Sequence, residues 1–202
     1  MHNKRRLAVF DFDGTITTKD TLLEFIMFCF GRWRFLLGFL LSSPWIVLMK
    51  LHLYPNWKCK ERVMKWFFKG MKQERFAALG NHFSKKAKEL IRMDTMEYLL
   101  KHKADGDTIY VITASVEEWV KPICESIGVS LVLATKMEVD KDGVLTGRFS
   151  TVNCYGSEKV RRLMEVEPDR ENYYLCAYGD SRGDKELLEF ADKGLLIKWK
   201  KD

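Results

Sequence analysis

The chain has 202 residues, of which 47% are hydrophobic and 31% charged, a composition typical of a globular protein rather than a disordered one. The net charge of +6 suits an anionic partner such as nucleic acid, a membrane surface or a phosphorylated substrate. The basic residues are spread along the chain, apart from clusters at 4–6 and 198–201, and no nucleic-acid-binding motif accompanies them, so we expect no nucleic-acid partner. The five cysteines form no CxxC pair, which excludes a disulfide framework or zinc site and favours a reducing cytoplasm.

Residues 7–13 are predicted to form a buried strand that ends on Asp11 and Asp13, directly before Gly14. Open α/β sheets bind their ligands at the carboxyl ends of strands, where these two acids would lie. A bound cation would relieve their mutual repulsion, and oxygen ligands favour Mg²⁺. The alternative at this stage is an ordinary turn, because Asp-Gly is a common turn dipeptide.

Residues 18–92 are predicted to be helical almost throughout, because apolar residues recur at spacings of three and four. The apolar stretch 35–51 is close to the shortest length that can span a membrane. Pro44 is expected to end or kink a helix near Ser43, which predicts two short helices rather than one span. Aromatic and basic flanking residues leave peripheral membrane contact open. A buried core or a homodimer face would explain the same residues.

Strands and helices alternate through the rest of the chain. Strands are predicted at 108–113, 131–134, 173–178 and 194–197, and helices at 94–103, 117–127, 157–165 and 185–191. Asp142-Gly143 lies between alternating segments and predicts a β-hairpin over 136–149. The alternation predicts an α/β fold with a parallel sheet covered by helices on both faces. Residues 1–17 and 93–202 would form the core domain, and 18–92 an inserted helical cap.

Polar side chains follow three of the predicted strands. They are Asp11 and Asp13, then Thr113, then Asp180 with Asp184, while Lys159 lies near the start of a helix. Because the carboxyl ends of parallel strands share one edge, we expect these groups to meet there. Phosphoryl transfer needs such a set: a carboxylate nucleophile, a second acid to move protons, a cation, and groups that hold phosphate oxygens.

Four segments, DFDGT, VITAS, GSEK and GDSRGD, resemble in this order the motifs of the haloacid dehalogenase (HAD) superfamily. The helical insertion after the first motif is similar to the cap of type I members, and subfamily IB, which contains phosphoserine phosphatase, fits best. The resemblance implies a Rossmann-like HAD fold. It also implies a Mg²⁺-dependent phosphatase that hydrolyses a phosphomonoester through an aspartyl-phosphate. Dehalogenases of the superfamily lack the acid at Asp13, which favours a phosphatase.

The resemblance also implies a role for each matching residue. Asp11 would be the nucleophile, and Asp13 the general acid/base whose backbone carbonyl also binds Mg²⁺. The Thr113 hydroxyl and the Ala114 amide would hold the phosphate. Lys159 would neutralise the nucleophile and the phosphate. Asp180 would be a metal ligand, and Asp184 would support the metal.

The substrate is predicted from the helical insertion. Arg62 matches the arginine that phosphoserine phosphatases direct at the substrate carboxylate, and Asp20 stands where they usually carry Glu. Arg62 therefore favours a small phosphorylated metabolite that is phosphoserine-like, whereas Asp20, one methylene shorter than Glu, stands against phosphoserine itself. The apolar stretch 35–51 also resembles the hydrophobic cap of lipid-phosphate phosphatases such as the phosphatidylglycerophosphate type. A lipid phosphate, phosphotransfer to an alcohol, and a non-catalytic membrane- or protein-binding module stay as alternatives, in a cytoplasmic protein that associates at most peripherally with the membrane.

Overall fold

A central sheet of five parallel strands organises the protein, whose computed structural model describes residues 4–197. The strands are β1 (Arg5–Phe10), β2 (Thr108–Val116), β3 (Leu131–Thr135), β4 (Met137–Val139), β5 (Leu145–Phe149), β6 (Tyr173–Gly179) and β7 (Lys193–Leu196). The sheet has the order β3-β2-β1-β6-β7, and β4 and β5 pair antiparallel as the predicted hairpin. The basic cluster at 198–201 lies outside the described residues. The predicted parallel α/β fold is confirmed.

Helices cover both faces of this sheet. The segment inserted after β1 carries α1 (Thr21–Lys50), α2 (Asn56–Phe68) and α3 (Gln73–Ala87). One face of the sheet is covered by α4 (Met93–Ala104) and α5 (Glu117–Ser126), and the other by α6 (Ser157–Val166) and α7 (Lys185–Phe190). Ala8 and Phe10 of β1 share a hydrophobic cluster with residues of α4 and α5, whereas Leu7 and Val9 pack with residues of α6 and α7. All four are fully buried, which explains the continuous apolar run that precedes Asp11.

The prediction that Pro44 breaks the apolar helix near Ser43 is wrong. The break in α1 lies at Gly31, whose φ of 74° is left-handed, and the helix then runs through Pro44 to Lys50. Proline has no N–H for the carbonyl four residues before it, here that of Leu40. The Ser43 hydroxyl donates to that carbonyl at 2.7 Å and supplies the missing bond. The helix therefore continues past the proline.

The segment that leads from the sheet into the inserted helices and the segment that returns from them are hydrogen-bonded to each other. Thr18 N–H donates to the Leu90 carbonyl and Arg92 N–H to the Ile16 carbonyl, both at 2.8 Å. Phe25 of α1 stacks on Trp119 of α5 with ring centroids 4.6 Å apart, so the insertion and the sheet layer share an aromatic core. The division into a cap at 18–92 and a separate core domain stays a prediction.

Candidate active site

Three strand ends meet at one edge of the sheet. β1 lies between β2 and β6, and Phe10 pairs with Val111 on one side and with Tyr178 on the other. Thr113 and Asp180 each follow those partners by two residues, so they lie level with each other just past the end of β1. The parallel sheet therefore brings the first, second and fourth motifs together.

Lys159 is the buried cation of this site. Its Nζ lies 2.5 Å from Asp11 Oδ1 and 2.5 Å from Asp184 Oδ1, and the side chain is 2% exposed. Burial alone would lower the pKa of Lys159, but the two carboxylates raise it above its usual value. The ammonium therefore stays charged and holds the two acids together.

Carboxylates outnumber cations at this point. Oxygens of Asp11, Asp180 and Asp184 lie within 4.8 Å of one another. Burial raises the pKa of Asp11 to about 7, although the charge of Lys159 opposes the shift. Burial and the neighbouring Asp184 raise the pKa of Asp180. Three hard oxygen donors whose combined negative charge exceeds the positive charge of Lys159 fit a divalent cation such as Mg²⁺.

Glycine lets the first and fourth motifs approach each other. Gly14 has a φ of 80°, and a Cβ added there would lie 2.2 Å from Asp180 Oδ2. Asp184 in turn orders the 180–184 loop, because its Oδ2 accepts from the Ser181 N–H at 3.0 Å and from its hydroxyl at 2.9 Å. The glycine of the first motif is thus explained by the close approach of Asp180 as well as by the turn.

Asp13 lies in a different polar environment. Its Oδ1 accepts from the Thr21 N–H at 2.8 Å and from the Thr21 hydroxyl at 2.6 Å, and its Oδ2 accepts from the Ser115 hydroxyl. Trp119 Nε1 donates to Thr21 Oγ1 at 3.0 Å. Burial raises the pKa of Asp13, and the charge of Asp20 adds to the effect. Both oxygens of the predicted acid are therefore oriented by hydrogen bonds.

Sequence reasoning missed Thr21, Ser115 and Trp119. Ser115 follows Thr113 by two residues inside the VITAS motif, which was the available signal. Thr21 gives no signal of its own, because a threonine at a helix start is ordinarily a capping residue.

The predicted phosphate-binding residues line a cavity of about 490 Å³. Thr113 is buried, and its Oγ1 accepts from the Ser115 N–H at 3.0 Å. Lys60 reaches over from α2 and donates to the Ala114 carbonyl at 3.4 Å. Asp20 borders the same cavity, while its Oδ1 caps α1 by accepting from the Leu22 N–H at 3.0 Å.

Apolar side chains of α1 and α2 form much of the cavity wall. They are Leu22, Leu23, Phe39, Ile46, Met49, Cys59 and Val63. Lys50, Lys60 and Asn56 are the polar groups that these two helices and their connection add. The cavity therefore combines the acids and Lys159 with a largely apolar wall.

Arg62 does not reach this cavity. Its guanidinium carbon lies 3.7 Å from the ring centroid of Trp45, and both residues line a separate groove. The structure thus brings together Asp11, Asp13, Asp20, Thr113, Ala114 and Lys159 around one cavity, with Asp180 and Asp184 beside Asp11. The predicted carboxylate reader is the one site residue that stands apart.

Comparisons with known proteins agree with this geometry. A model of the haloacid dehalogenase-like hydrolases matches residues 8–189. Protein CicA of Caulobacter vibrioides is 33% identical over 201 residues, which cover 98% of this chain and 88% of that protein.

Solved structures share the fold. A Bordetella pertussis protein of unknown function superposes with a TM-score of 0.79 at 21% identity, over 93% of this chain and 87% of that one. A substrate-bound phosphoserine phosphatase superposes with a TM-score of 0.66 at 18% identity, over 94% and 84% of the two chains. With the family match, the site and the fold in agreement, the chain belongs to the haloacid dehalogenase-like hydrolases, as its four motifs predicted.

Proposed function

We propose that this hydrolase is a Mg²⁺-dependent phosphatase that cleaves a phosphomonoester through an aspartyl-phosphate on Asp11. The observation that carries the proposal is the ammonium of Lys159 between Asp11 and Asp184, with Asp180 completing a buried acidic cluster. Lys159 and a bound metal ion would supply the positive charge that attracts an anionic phosphate ester, and Asp11 would supply the carboxylate nucleophile.

The proposed reaction has two displacements. A carboxylate oxygen of Asp11 attacks phosphorus, the ester P–O bond breaks, and Asp13 gives its proton to the leaving alkoxide. Water then attacks phosphorus and gives a proton to Asp13, while the bond between phosphorus and Asp11 breaks and phosphate leaves. Thr113, the Ala114 amide and Lys159 hold the phosphate oxygens throughout.

The proposed metal ligands are Asp11, the Asp13 carbonyl and Asp180, with Asp184 in support. Bound Mg²⁺ supplies positive charge that lets an anionic phosphate approach a carboxylate. In its absence the same carboxylates repel the substrate, which makes metal removal an informative test.

The test uses hydrolysis of p-nitrophenyl phosphate by the wild type and by Asp11→Asn, with Mg²⁺ and with EDTA. We expect background rates for the variant and for the chelated enzyme, and recovery of the chelated enzyme when Mg²⁺ is returned. Asp169→Asn, at an exposed acid that belongs to neither the cavity nor the acidic cluster, is the matched control and should keep full activity. Full activity of Asp11→Asn would refute the mechanism.

A second candidate concerns the leaving group, which we propose carries an apolar chain. The apolar wall of the cavity supports a lipid-phosphate substrate over the phosphoserine-like one, and the position of Arg62 on Trp45 supplies no carboxylate reader. We expect kcat/KM to be higher for a short-chain phosphatidate than for O-phosphoserine. Met49→Ser should lower kcat/KM for the short-chain phosphatidate more than kcat/KM for O-phosphoserine, because Met49 belongs to the apolar wall of the cavity.

We also propose that the protein is cytoplasmic and that water is the acceptor of the phosphoryl group. All five cysteines are free thiols, which supports a reducing cytoplasm. Hydrolysis is distinguished from phosphotransfer by adding glycerol to the assay: free phosphate alone supports hydrolysis, and glycerol phosphate would support transfer.

A further inference from the structure

The second half of α1 is apolar on two opposite faces. One face packs on α2 through Gly38 and Ser42, both buried, and a Cβ added at Gly38 would lie 2.4 Å from the ring of Phe67. Small residues four positions apart let the two helices approach closely. This face belongs to the interior of the protein.

The opposite face is open to solvent. Trp33 is 85% exposed, Leu37 50% and Leu40 69%. We call this surface the exposed stripe; it consists of Trp33, Leu36, Leu37, Leu40, Leu41, Val47, Leu48 and Leu51. Spacings of three and four keep these side chains on one side of the helix over about 27 Å. Soluble monomers seldom leave so long an apolar surface uncovered unless something binds it.

Within the segment that carries the exposed stripe, the charged residues have one sign. Residues 25–60 contain no Asp or Glu, and their charged residues are Arg32, Arg34, Lys50, Lys58 and Lys60. Arg32 and Arg34 flank the start of the stripe and Lys50 its end, and all three are exposed. An apolar stripe with cations at both ends complements an anionic bilayer surface, in which basic side chains reach the headgroups and apolar ones the acyl boundary.

A second copy of the chain is a poorer fit to the same surface. Two copies meeting through their exposed stripes would bring Arg32, Arg34 and Lys50 near their counterparts, with no acid in 25–60 to pair with them. Like charges across such a contact oppose association.

The helix is long and apolar enough to cross a membrane, but both of its ends are engaged in the folded protein. Thr21 at its start binds Asp13, and Met49 near its end lines the cavity that contains Asp11. A helix held in this way can present its outer face to a bilayer while its inner face stays part of the protein.

We propose that the exposed stripe docks the protein on the surface of an anionic phospholipid bilayer. Phe39 and Met49 on the inner side of the same helix line the cavity, so docking would hold the cavity within about one helix diameter, ~10 Å, of the lipid. This binding goes beyond the proposed phosphatase activity and does not depend on it.

The test is co-sedimentation of the full chain with vesicles of phosphatidylcholine alone or mixed equally with phosphatidylglycerol, read without substrate. We expect wild type to bind the mixed vesicles, and to bind less as NaCl is raised. Leu37→Glu/Leu40→Glu should lower the partition coefficient at least about tenfold, because two inserted leucines are replaced by charges. The matched control, Met93→Glu/Leu100→Glu, adds the same charges to exposed positions of α4 and should bind like wild type.

Several results would overturn the proposal. They are absence of wild-type binding to the mixed vesicles, equal binding by Leu37→Glu/Leu40→Glu, and equal loss by the α4 control. A wild-type dimer in gel filtration that Leu37→Glu/Leu40→Glu converts to monomer, without vesicle binding, would assign the stripe to a second copy instead. Circular dichroism and thermal melting of each variant show that a loss of binding is not a loss of fold.

Discussion

Thr21 donates two hydrogen bonds to one carboxylate oxygen of Asp13, from its N–H at 2.8 Å and from its hydroxyl at 2.6 Å. Trp119 Nε1 donates to the same hydroxyl oxygen, so the hydroxyl proton is directed toward Asp13. Thr21 is the first residue of α1, which means that the position of the inserted helices and the orientation of the proposed acid are linked.

Thr21→Val is expected to lower kcat about tenfold with little change in KM. The variant keeps the shape and the N–H of Thr21 but removes a hydroxyl donor worth about 1.4 kcal/mol to Asp13. Thr21→Ser keeps the donor and should restore kcat. The measurement is steady-state kinetics on p-nitrophenyl phosphate over a range of pH. A positioning role also moves the pH profile of kcat, whereas an unchanged kcat in Thr21→Val would contradict the link.

Lys159→Met is expected to lower the free energy of unfolding by about 3 kcal/mol in urea denaturation. Removing the ammonium leaves the carboxylates of Asp11 and Asp184 buried without their cation, which costs more than the pair itself contributes. Lys159→Met/Asp184→Asn should recover part of the loss because it removes one of those charges. The control is Lys185→Met at an exposed lysine of α7, with a change of about 0.5 kcal/mol or less. Equal effects at the two lysines would argue against a buried ion network.

Lys60→Ala is expected to raise KM for p-nitrophenyl phosphate several-fold, whereas Arg62→Ala leaves it nearly unchanged. Lys60 lines the cavity and contacts the Ala114 carbonyl, so its charge is available to an anionic substrate. Arg62 stacks on Trp45 outside the cavity, and its loss should instead cost about 0.5–1 kcal/mol of stability. The reverse pattern of KM values would return Arg62 to the role that the sequence predicted for it.

The contrast between Lys60 and Arg62 shows where prediction from sequence stops. Residues two apart on a helix point in nearly opposite directions, so the sequence pattern alone does not tell whether Lys60 or Arg62 lines the cavity. The strand ends were predictable because a parallel sheet fixes them at one edge. The path of α1 through Pro44 was not, because it depends on the Ser43 hydroxyl donating to the Leu40 carbonyl. The partners of Asp13 were likewise hidden, since Thr21 and Trp119 become neighbours only through tertiary packing.

The buried carboxyl of Glu118 is expected to make the stability of the protein, rather than its catalysis, depend on pH. Burial raises its pKa to about 7, with the charge of Glu117 adding to the shift and that of Lys136 opposing it. Its Oε2 has no hydrogen-bond partner among the described residues. Below about pH 4.5 the carboxyl is protonated in both the folded and the unfolded chain, so it makes no difference to stability. Between that pH and about 7 only the unfolded chain ionises freely, so stability falls as pH rises, and the deficit persists above pH 7.

Glu118→Gln removes the ionisation and should therefore stabilise the protein increasingly as pH rises from about 4.5 to about 7, and by a constant amount above that. We expect a gain in the free energy of unfolding on the order of 2 kcal/mol at pH 8, shrinking to none near pH 4.5. Urea denaturation at several pH values measures it, and Glu125→Gln at an exposed position of the same helix is the control. If the gain were equal at the two ends of the pH range, or equal in the control, the buried carboxyl would not be its source. Because Glu118 borders neither Asp11 nor the cavity, p-nitrophenyl phosphate hydrolysis should be unaffected, which separates this effect from that of the acidic cluster.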